Sequence, residues 1–333
     1  MKFSVAMCTY NGGQFLAEQL ESLAGQTRHP DELIICDDGS RDNTLDIIRK
    51  FSAVAPFPVQ LTVNEKNLGS TKNFEQAISL CSGDLIALCD QDDVWLSEKL
   101  ARTESLLASH PEVGAVFTDA DMVDVELRPS GQRLWESIGF DERKQEKVKA
   151  GQALRLLIDG NFATGATLAF RSKYRDLILP IPQLDECIHD AWIVLLISAV
   201  AQLSFIKQPQ MLYRQHPGQQ LGIDPEDYAP IKATTDIASA SADLLSAVSR
   251  QTSFVTEINK CRALRERLAE CSEQYDSRAA MAQVERKLTH FETRSNMPRR
   301  KLGRLRRVLR ELLTLRYHSY SRGFKSAAKD LFV

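Results

Sequence analysis

The sequence predicts an α/β protein built on a mostly parallel β-sheet flanked by helices, followed by a helical C-terminal extension. Three observations predict this. Apolar runs of strand length alternate with segments of helical spacing over the first 120 residues. Hydrophobic residues make up 43% of the 333 residues, which is enough for a large core. From about residue 231 the chain lacks proline up to Pro298, and apolar residues recur at threes and fours.

The elements of the first 120 residues follow one another at short intervals. The predicted strands cover residues 3–8, 33–36, 59–63, 85–89 and 113–118. The predicted helices cover residues 14–24, 44–51 and 72–81. Strands that are apolar throughout and separated by helices are typical of a parallel sheet covered on both faces.

The second half of the chain contains one long apolar stretch, residues 192–206. Its 15 residues are short of the roughly 20 that a membrane-spanning helix needs, so we predict a buried helix. The chain enters its first predicted strand directly after Lys2, and no secretory signal is expected.

An apolar stripe beyond residue 231 predicts a long helix that packs on another surface. Its members are Val255, Ile258, Cys261, Leu264, Leu268, Cys271 and Tyr275. The same stripe could form a homodimer surface.

Charge and cysteine usage narrow the function classes. Residues 298–333 contain 11 Lys and Arg against 2 Asp and Glu, whereas the rest of the chain is acidic. An acidic body with a basic tail is not built to coat nucleic acid, so no nucleic-acid partner is expected. The seven cysteines include no CxxC pair and stand mostly in apolar runs, which favours buried reduced thiols over disulfides or zinc.

Several motifs of other enzyme classes are missing from the sequence. It has no GxxxxGK[ST] loop, no GxGxxG after the first strand, no HExxH and no GxSxG. These absences disfavour P-loop nucleotide hydrolysis, dinucleotide redox chemistry, zinc proteolysis and α/β-hydrolase chemistry.

Polar clusters follow three of the predicted strands and form the candidate site. They are Thr9-Tyr10-Asn11, Asp37-Asp38 and Asp90-Gln91-Asp92-Asp93. Because the carboxyl ends of parallel strands meet at one edge of a sheet, we expect these clusters to converge where ligands bind.

The acidic cluster after the fourth strand predicts a divalent-metal site. Asp90, Asp92 and Asp93 repel one another unless a positive charge stands among them, and Mg²⁺ or Mn²⁺ shared with a substrate diphosphate meets that need. The alternative is a solvated acidic turn, with Asp93 capping the helix that follows.

Further residues have a functional interpretation, in most cases with a structural alternative. One of Asp37 and Asp38 can cap the turn into the next helix, while the other accepts a hydrogen bond from a base or a ribose. Asp190 can be a general base or the N-cap of the apolar helix. His216 can be an ordinary surface residue or a metal ligand, and Arg214 can pair with phosphate.

These pieces together resemble the glycosyltransferase family 2 enzymes of the GT-A fold, over roughly residues 1–225. The resemblance is carried by residues 5–12 (VAMCTYNG), 26–27 (QT), 32–40 (ELIICDDGS), 64 (N), 67–69 (NLG), 83–84 (GD), 88–95 (LCDQDDVW) and 99–100 (KL). Later pieces are similar to bacterial rhamnosyltransferases of surface-polysaccharide assembly: residues 164–167 (TGAT), 189–192 (HDAW) and 213–216 (YRQH). Ala191 departs from the family, which usually has an aromatic residue there.

The resemblance implies a role for each candidate residue. The implied nucleotide-sugar pocket consists of Thr9, Tyr10, Asn11, Asp38, Asn67, Gly69, Lys72 and Asp90, with Asp38 accepting from a pyrimidine base. The implied metal is Mg²⁺ or Mn²⁺, bound by Asp92 with Asp90 and His216 as further ligands. Asp190 is implied as the general base.

The implied activity is an inverting, metal-dependent sugar transfer in cell-surface polysaccharide synthesis. A sugar such as rhamnose would pass from a UDP- or dTDP-sugar to a hydroxyl of a glycan or lipid-linked acceptor. The implied domains are a GT-A domain over 1–225, with a nucleotide-sugar half at 1–120 and an acceptor half at 121–225, and a helical extension over 231–333. A sugar nucleotidyltransferase and a membrane-associated scaffold with a vestigial site are the alternatives.

The basic tail predicts an amphipathic helix within residues 297–315. Its apolar positions are Leu302, Leu305, Val308, Leu309, Leu312 and Leu313, with arginines on the remaining face. This pattern is typical of a helix on an anionic membrane surface, and we assign that role to residues 298–316. Packing on the protein's own domain and nucleic-acid binding are the alternatives. The expected location is the cytoplasm, with peripheral attachment to the inner face of the cell membrane.

Overall fold

The computed structural model describes residues 1–185, 187–219, 239–298 and 300–332. It divides into two compact units. The first unit is Met1–Gln183 with Ile188–Pro230, and the second is Leu184–Cys187 with Ile231–Val333. The domain boundary expected between residues 225 and 231 lies outside the described residues.

The described elements of the first unit begin with β1 (Phe3–Thr9), α1 (Leu16–Ala24), β2 (Glu32–Asp37), α2 (Thr44–Ser52), β3 (Val59–Val63), α3 (Ser70–Leu80), β4 (Leu85–Cys89), β5 (Val94–Trp95), α4 (Lys99–Ser109) and β6 (Val113–Thr118). They continue with β7 (Asp121–Val123), β8 (Pro129–Arg133), α5 (Leu134–Ser137), α6 (Glu142–Lys149), α7 (Ala153–Leu157), β9 (Ala169–Arg171), α8 (Arg175–Ile178), α9 (His189–Val200), β10 (Gln202–Ile206) and β11 (Met211–Arg214). The five predicted strands and three predicted helices of the first 120 residues are confirmed, with ends shifted by at most two residues.

The main sheet has the order β10-β6-β9-β4-β1-β2-β3. All its strands run parallel except β9, which lies antiparallel between β4 and β6. The register places Thr9 of β1 beside Asp37 of β2, and Met7 of β1 beside Cys89 of β4. The chain passes from β1 to β2 on one side and returns to β4 on the other, which is the arrangement that opens a crevice at the carboxyl ends.

Burial accounts for the apolar composition of these strands. Every residue of β4 and β6 is buried, as in a sheet with both faces covered. Cys36, Cys81 and Cys89 are buried thiols, as predicted.

The long apolar stretch does not form the single helix that we predicted over residues 192–206. Helix α9 ends at Val200, Ala201 is extended, and Gln202–Ile206 forms β10 at the edge of the main sheet. Residues 202–206 pair with β6, so their backbone groups form hydrogen bonds in the sheet and not in the helix. Residues 189–197 of α9 are buried all round, which is why they carry no polar face.

A second, smaller sheet has the order β5-β11-β7-β8. Strand β11 pairs antiparallel with β5 and parallel with β7. Since β5 begins one residue after Asp93, this pairing brings the segment around Arg214 next to the acidic cluster.

The part of the second unit after residue 238 is mainly helical where it is described. Its helices are α10 (Ser239–Glu270), α11 (Arg278–Ser295), α12 (Lys301–Leu313), α13 (Arg316–Tyr320) and α14 (Phe324–Phe332). The predicted long helix is confirmed as α10, which packs on α11. Its stripe residues Ile258, Cys261, Leu264 and Leu268 are buried, as is Cys271 directly after the helix. Val255 is 45% exposed, and Phe254 is buried instead.

The homodimer surface suggested for this stripe is not supported. The buried residues of α11 that match the stripe are Ala280, Val284, Leu288 and Phe291. The stripe residues from Ile258 to Cys271 are therefore core residues of the second unit.

Helix α12 confirms the predicted amphipathic segment over part of its length. Val308 is fully buried beside Tyr317 and Ala327, and Leu312 packs against the same cluster. Among the described helices, α12 included, none combines the length and the apolar character needed to cross a membrane.

Candidate active site

A cavity of about 610 Å³ opens at the carboxyl ends of β1, β2 and β4. This volume lies within the range of small-molecule and cofactor sites. The predicted residues that line it are Thr9, Tyr10, Asp38, Asn67, Gly69, Asp90, Asp92 and Asp190. The predicted convergence of the three strand-end clusters is therefore present in the structure.

Asp37 and Asp38 have different surroundings at the end of β2. Asp37 accepts hydrogen bonds from the hydroxyls of Thr9 and Ser40, at 2.7 and 2.6 Å, and is fully buried. It holds the ends of β1 and β2 together. Its other oxygen accepts from the backbone N–H groups of Gly39 and Ser40, at 3.2 and 2.8 Å, so Asp37 is the aspartate that caps the turn before the next helix.

Asp38 is the carboxylate of this pair that faces the cavity. It accepts from the backbone N–H of Leu68 and of Gly69, at 2.8 and 2.9 Å, and from the Asn64 amide at 2.9 Å. An ionised carboxylate offers about four acceptor positions, so these three bonds leave one for a ligand. The same bonds fix the direction in which that position points.

The segment before α3 forms one wall of the cavity. Gly69 has φ +80°, a conformation that glycine adopts without steric cost, and it places α3 with its N-terminus at the cavity. The side-chain oxygen Oδ1 of Asn67 accepts from the Gly69 N–H at 3.1 Å. Lys72 lies outside the lining, because its ammonium group donates to Glu75 at 2.8 Å and to the Ile181 carbonyl at 2.7 Å.

Of the two polar residues after β1, Tyr10 lines the cavity and Asn11 does not. Tyr10 lines the cavity and is 47% exposed, which leaves its ring available to a flat ligand. Asn11 lies outside the lining in a left-handed conformation, φ 47°, and its side-chain oxygen accepts from the Arg41 N–H at 2.9 Å. Gln91 accepts from the Tyr10 N–H at 2.8 Å and ties the ends of β1 and β4 together.

The acidic cluster is a compact turn between β4 and β5. Asp93 is followed by a strand, so it does not cap a helix. It is buried, one oxygen accepts from the Arg214 N–H at 3.1 Å, and the other has no partner among the described residues. Burial and the neighbouring Asp92 and Asp90 raise the pKa of Asp93 well above its ordinary value. Burial, with Asp92 and Asp190, raises the pKa of Asp90 to about 7.

Arg214 supports this turn and does not reach out for phosphate, contrary to our prediction. Its guanidinium is 1% exposed and pairs with Glu18. It also donates to the backbone carbonyl of Asp92 at 2.7 Å, and it lies 4.5 Å from the ring centre of Phe15. The hydrogen bond to Asp92 holds the main chain of the acidic turn, and the contacts with Glu18 and Phe15 hold the guanidinium in place.

A buried lysine, Lys99, stands behind the acidic turn. Its ammonium group donates to the Ala166 carbonyl at 2.6 Å and lies 3.9 Å from the ring centre of Trp95. Burial lowers the pKa of Lys99 to about 8, while Cys89, Asp93 and Asp90 act in the opposite direction. The chain therefore supplies a positive charge of its own near the acidic cluster. Because Lys99 offsets part of the repulsion among the carboxylates, that repulsion alone is not evidence for a metal ion.

Asp92 and His216 form the part of the site that fits a divalent cation. The Nε2 atom of His216 lies 2.9 Å from the Asp92 carboxylate, and its ring contacts Phe15 at 4.7 Å between centres. Within the described residues, no three His, Cys, Asp or Glu side chains form a group that could hold a metal. Mg²⁺ is usually held by one or two carboxylates together with substrate phosphates and water, so a two-residue protein set fits such an ion.

Asp190 lies in the first turn of α9 and is not its N-cap, which is Ile188. Its carboxylate accepts from the Gly165 N–H at 3.0 Å and from the Ala191 N–H at 2.5 Å. Burial raises the pKa of Asp190 to about 6, and the two backbone donors partly oppose that shift. This carboxylate is ionised at neutral pH, fixed in direction and open to the cavity, as a general base must be.

His189 and Lys99 are two site residues to which sequence reasoning gave no role. His189 stacks on Phe74, with 4.2 Å between ring centres, and burial lowers its pKa to about 3. It is therefore a neutral wall of the cavity. Lys99 carried a signal that could have been used: it precedes Thr103 by four residues and Leu107 by eight, so it lies on the buried face of α4.

Comparisons with known proteins place these observations in a family. The model of "Glycosyl transferase family 2" matches residues 4–172. An uncharacterized glycosyltransferase of Nostoc sp., alr2836, is 26% identical over 220 residues, which cover 65% of this chain and 65% of that protein. The dTDP-rhamnosyl transferase RfbG of Shigella flexneri is 26% identical over 231 residues, covering 65% of this chain and 73% of that protein.

The structure is also similar to a solved one. The crystal structure of S. aureus TarS 1-349 in complex with UDP-GlcNAc gives a TM-score of 0.58 at 15% identity, covering 99% of this chain and 91% of that chain. At this identity the likeness concerns the fold. The alignments span 58% to 65% of the lengths of the first curated relatives, which is less than two thirds.

Proposed function

Since this chain belongs to glycosyltransferase family 2, we propose that it transfers a sugar from a UDP- or dTDP-sugar to a hydroxyl group, with inversion at the anomeric carbon. One observation carries the proposal. Asp38, Asp92 and Asp190 come from distant parts of the sequence and line one cavity at the carboxyl ends of three adjacent strands. A base-binding carboxylate, a diphosphate site and a general base are the three functions that such a reaction requires.

In the proposed reaction Asp190 removes the proton of the acceptor hydroxyl as the oxygen attacks the anomeric carbon. The new C–O bond forms while the bond from that carbon to the diphosphate breaks, and the nucleoside diphosphate leaves with the electron pair. Attack from the face opposite the leaving group inverts the configuration. The hydrogen bonds from Gly165 and Ala191 hold the Asp190 carboxylate in place, so no reorientation is needed.

The proposed donor site extends from Asp38 to the acidic turn. The remaining acceptor position of Asp38 suits the imide N–H of uracil or thymine, and Tyr10 offers an exposed ring beside it. Asn67, Gly69 and Thr9 form the walls between them. Lys72 and Asn11 were expected here and are held by other contacts, so we leave them out of the proposed donor site.

The proposed metal is Mg²⁺ or Mn²⁺, held by Asp92 and His216 with Asp90 nearby. When bound, it offsets the charge that develops on the leaving diphosphate. The pairing of His216 with Asp92 supports this assignment, because an imidazole beside a carboxylate is a set that Mn²⁺ accepts.

The proposed acceptor is a glycan or a lipid-linked sugar in cell-surface polysaccharide synthesis, and the proposed donor sugar is rhamnose. The printed name of the Shigella flexneri relative, a dTDP-rhamnosyl transferase, supports the donor. The name of a second relative, the amylovoran biosynthesis glycosyltransferase AmsE of Erwinia amylovora, supports the polysaccharide setting. We also propose an anionic membrane surface as the partner of residues 298–316.

Isothermal titration with UDP, dTDP and GDP, each with and without Mn²⁺, tests the proposal. We expect one pyrimidine diphosphate to bind tightly and only with the metal, whereas GDP binds weakly. The matched variants are Asp38→Asn and Asp46→Asn, since Asp46 is an exposed carboxylate outside the cavity. Loss of binding in Asp38→Asn alone supports the assigned site. Two results contradict the proposal. One is that all three nucleotides bind without the metal, and the other is that none of them binds.

A further inference from the structure

Helix α12 presents a row of exposed leucines. Leu302, Leu305, Leu309 and Leu313 are 67%, 40%, 48% and 84% exposed. Their spacings of three, four and four residues place them one above another on one side of the helix, which we call the leucine face. Contiguous apolar surface of this kind marks an interaction site, whereas single exposed leucines are ordinary.

The leucine face is not the face by which α12 is held in its unit. Val308 is fully buried in a cluster with Tyr317 and Ala327, and Leu312 packs against that cluster. Glu311 is buried on the same side and contacts His290 at 2.7 Å. The helix therefore packs through a face that borders the leucine face. The four leucines are exposed although α12 has its own core contact.

The charges around the leucine face are positive. Arg306 and Arg310 each follow a leucine of the face by one residue, and both are exposed, as is Lys301. The acidic residue of α12 is Glu311, which is buried and also pairs with Arg316 at 2.8 Å. An apolar strip bordered by exposed cations, with its carboxylate turned inward, matches an anionic headgroup layer over an apolar interior.

Two other occupants fit this surface less well. A second copy of α12 would bring Arg306 and Arg310 against the same residues of its partner, and no exposed carboxylate on the helix would offset them. A nucleic acid would use the arginines and leave the leucines without a partner.

We propose that the leucine face docks the second unit on the surface of a bilayer that contains anionic lipids. The leucines lie at the boundary between headgroups and acyl chains, and Arg306 and Arg310 lie among the phosphates. The helix lies on the bilayer and does not cross it. This inference deepens the proposed function. Only the purpose of the docking, to bring the enzyme to a lipid-linked acceptor, rests on that function.

The experiment measures partitioning of the full chain into phosphatidylcholine vesicles with and without phosphatidylglycerol. We expect binding to the anionic vesicles that weakens as salt is added. Arg306→Gln with Arg310→Gln is expected to weaken partitioning about 30-fold, because each basic residue at such a surface contributes about fivefold. The control is Lys50→Gln with Lys147→Gln, which removes the same charge from exposed sites of the first unit.

A second pair of variants tests the apolar contribution. Leu305→Gln with Leu309→Gln is expected to weaken partitioning at least tenfold, in vesicles of either composition, since it removes the part that enters the bilayer. Both side chains are exposed, so the fold should not depend on them, and thermal unfolding checks that it does not. The control is Val54→Gln with Leu80→Gln, two exposed apolar residues of the first unit.

Several outcomes overturn the inference. One is a parent that partitions equally into both kinds of vesicle, and another is a leucine variant that partitions like the parent. A leucine variant that changes a dimer into a monomer, with no vesicle binding by the parent, assigns the face to a second copy instead. Nucleotide titration on the same samples separates the two proposals: vesicle binding without nucleotide binding contradicts the proposed function and leaves the leucine face as a membrane surface.

Discussion

The chemistry of Asp190 depends on two opposing features of its surroundings. Burial raises its pKa to about 6, and the N–H groups of Gly165 and Ala191 stabilise the ionised form. A carboxylate with this pKa is still ionised at neutral pH, yet it takes up a proton more readily than an exposed aspartate does. Its place in a 610 Å³ cavity, and not its residue type, distinguishes it from the many other carboxylates of the chain.

Replacement of Asp190 tests its proposed role as base. Asp190→Asn keeps the shape of the side chain and removes the proton acceptor, so we expect kcat to fall by about two to four orders of magnitude. Metal-dependent nucleotide binding should remain, because the donor site does not use this residue. A variant that folds, binds nucleotide and keeps full transfer activity would contradict the role.

The pH dependence follows from the raised pKa of Asp190. We expect kcat to rise with pH through about 6 and then level off, as the base loses its proton. In the unfolded chain the pKa is near 3.8, so the folded state binds the proton more tightly and this contribution to stability is lost as the pH rises through 6. The stability of Asp190→Asn relative to the parent should therefore increase by on the order of 2 kcal/mol between pH 4 and pH 7. Chemical unfolding at both pH values measures this, and a constant difference would contradict it.

Lys99 offers a second test at the residue scale. Lys99→Met removes the buried cation behind Asp90 and Asp93 and leaves the Ala166 carbonyl without its donor. We expect a lower unfolding temperature in the absence of metal, and a larger rise on adding Mn²⁺ than the parent shows, since the metal then replaces the missing charge. Lys72→Met is the control, because Lys72 pairs with Glu75 outside the cavity. Equal Mn²⁺ shifts in the parent and Lys99→Met would show that Lys99 does not act on the acidic turn.

At the scale of elements, periodicity predicted the strands and helices of the first 120 residues because both faces of the sheet are covered. The pattern could not show that β9 enters the sheet antiparallel, since a strand of three residues, two of them apolar, carries no sign of its direction. It also failed at the end of α9, because the apolar residues of β10 follow those of the helix closely, so residues 192–206 gave one nearly continuous apolar signal.

A buried ion pair links the helices of the second unit and gives a prediction at this scale. Arg294 of α11 pairs with Asp330 of α14 at 2.6 Å, and Tyr317 of α13 donates to the same carboxylate at 2.7 Å. Asp330→Ala leaves a guanidinium that is only 8% exposed without its partner, and we expect a loss of about 3–5 kcal/mol in the free energy of unfolding. Chemical denaturation measures it.

The matched control for this variant is Asp276→Ala, which breaks an exposed pair with Arg278. It should change the unfolding midpoint little, because solvent and salt screen exposed pairs. Similar losses in the two variants would mean that the Asp330 cluster is not a structural link.

Across the whole molecule, the sequence predicted which strand ends meet but not which side chains reach the cavity. Lys72, Asn11 and Arg214 have suitable chemistry and the expected positions in the chain. Each is held by partners far away in sequence, such as Ile181 for Lys72, Arg41 for Asn11 and Glu18 for Arg214. Such contacts depend on tertiary packing, and spacing within a motif does not report them.

The division into two units predicts which part of the protein a bound nucleotide protects from amide hydrogen exchange. Because the cavity is lined by residues of the first unit, UDP or dTDP with Mn²⁺ should slow amide hydrogen exchange in β1, β2 and the turn at residues 90–93. Peptides from α11 to α14 should exchange at unchanged rates. Protection spread equally over both units would contradict a nucleotide site within the first unit alone.

The antiparallel strand β9 sets the order in which this sheet can be completed during synthesis. β4 and β6 emerge from the ribosome first, but the strand that joins them, Ala169–Arg171, follows more than 50 residues after β6. Until then one edge of β4 and both edges of β6 are open, since β10 follows later still, and their backbone groups are available to a wrong partner. A chain stopped near residue 120 therefore cannot close its sheet, and the nascent protein depends on a late segment to protect an early core.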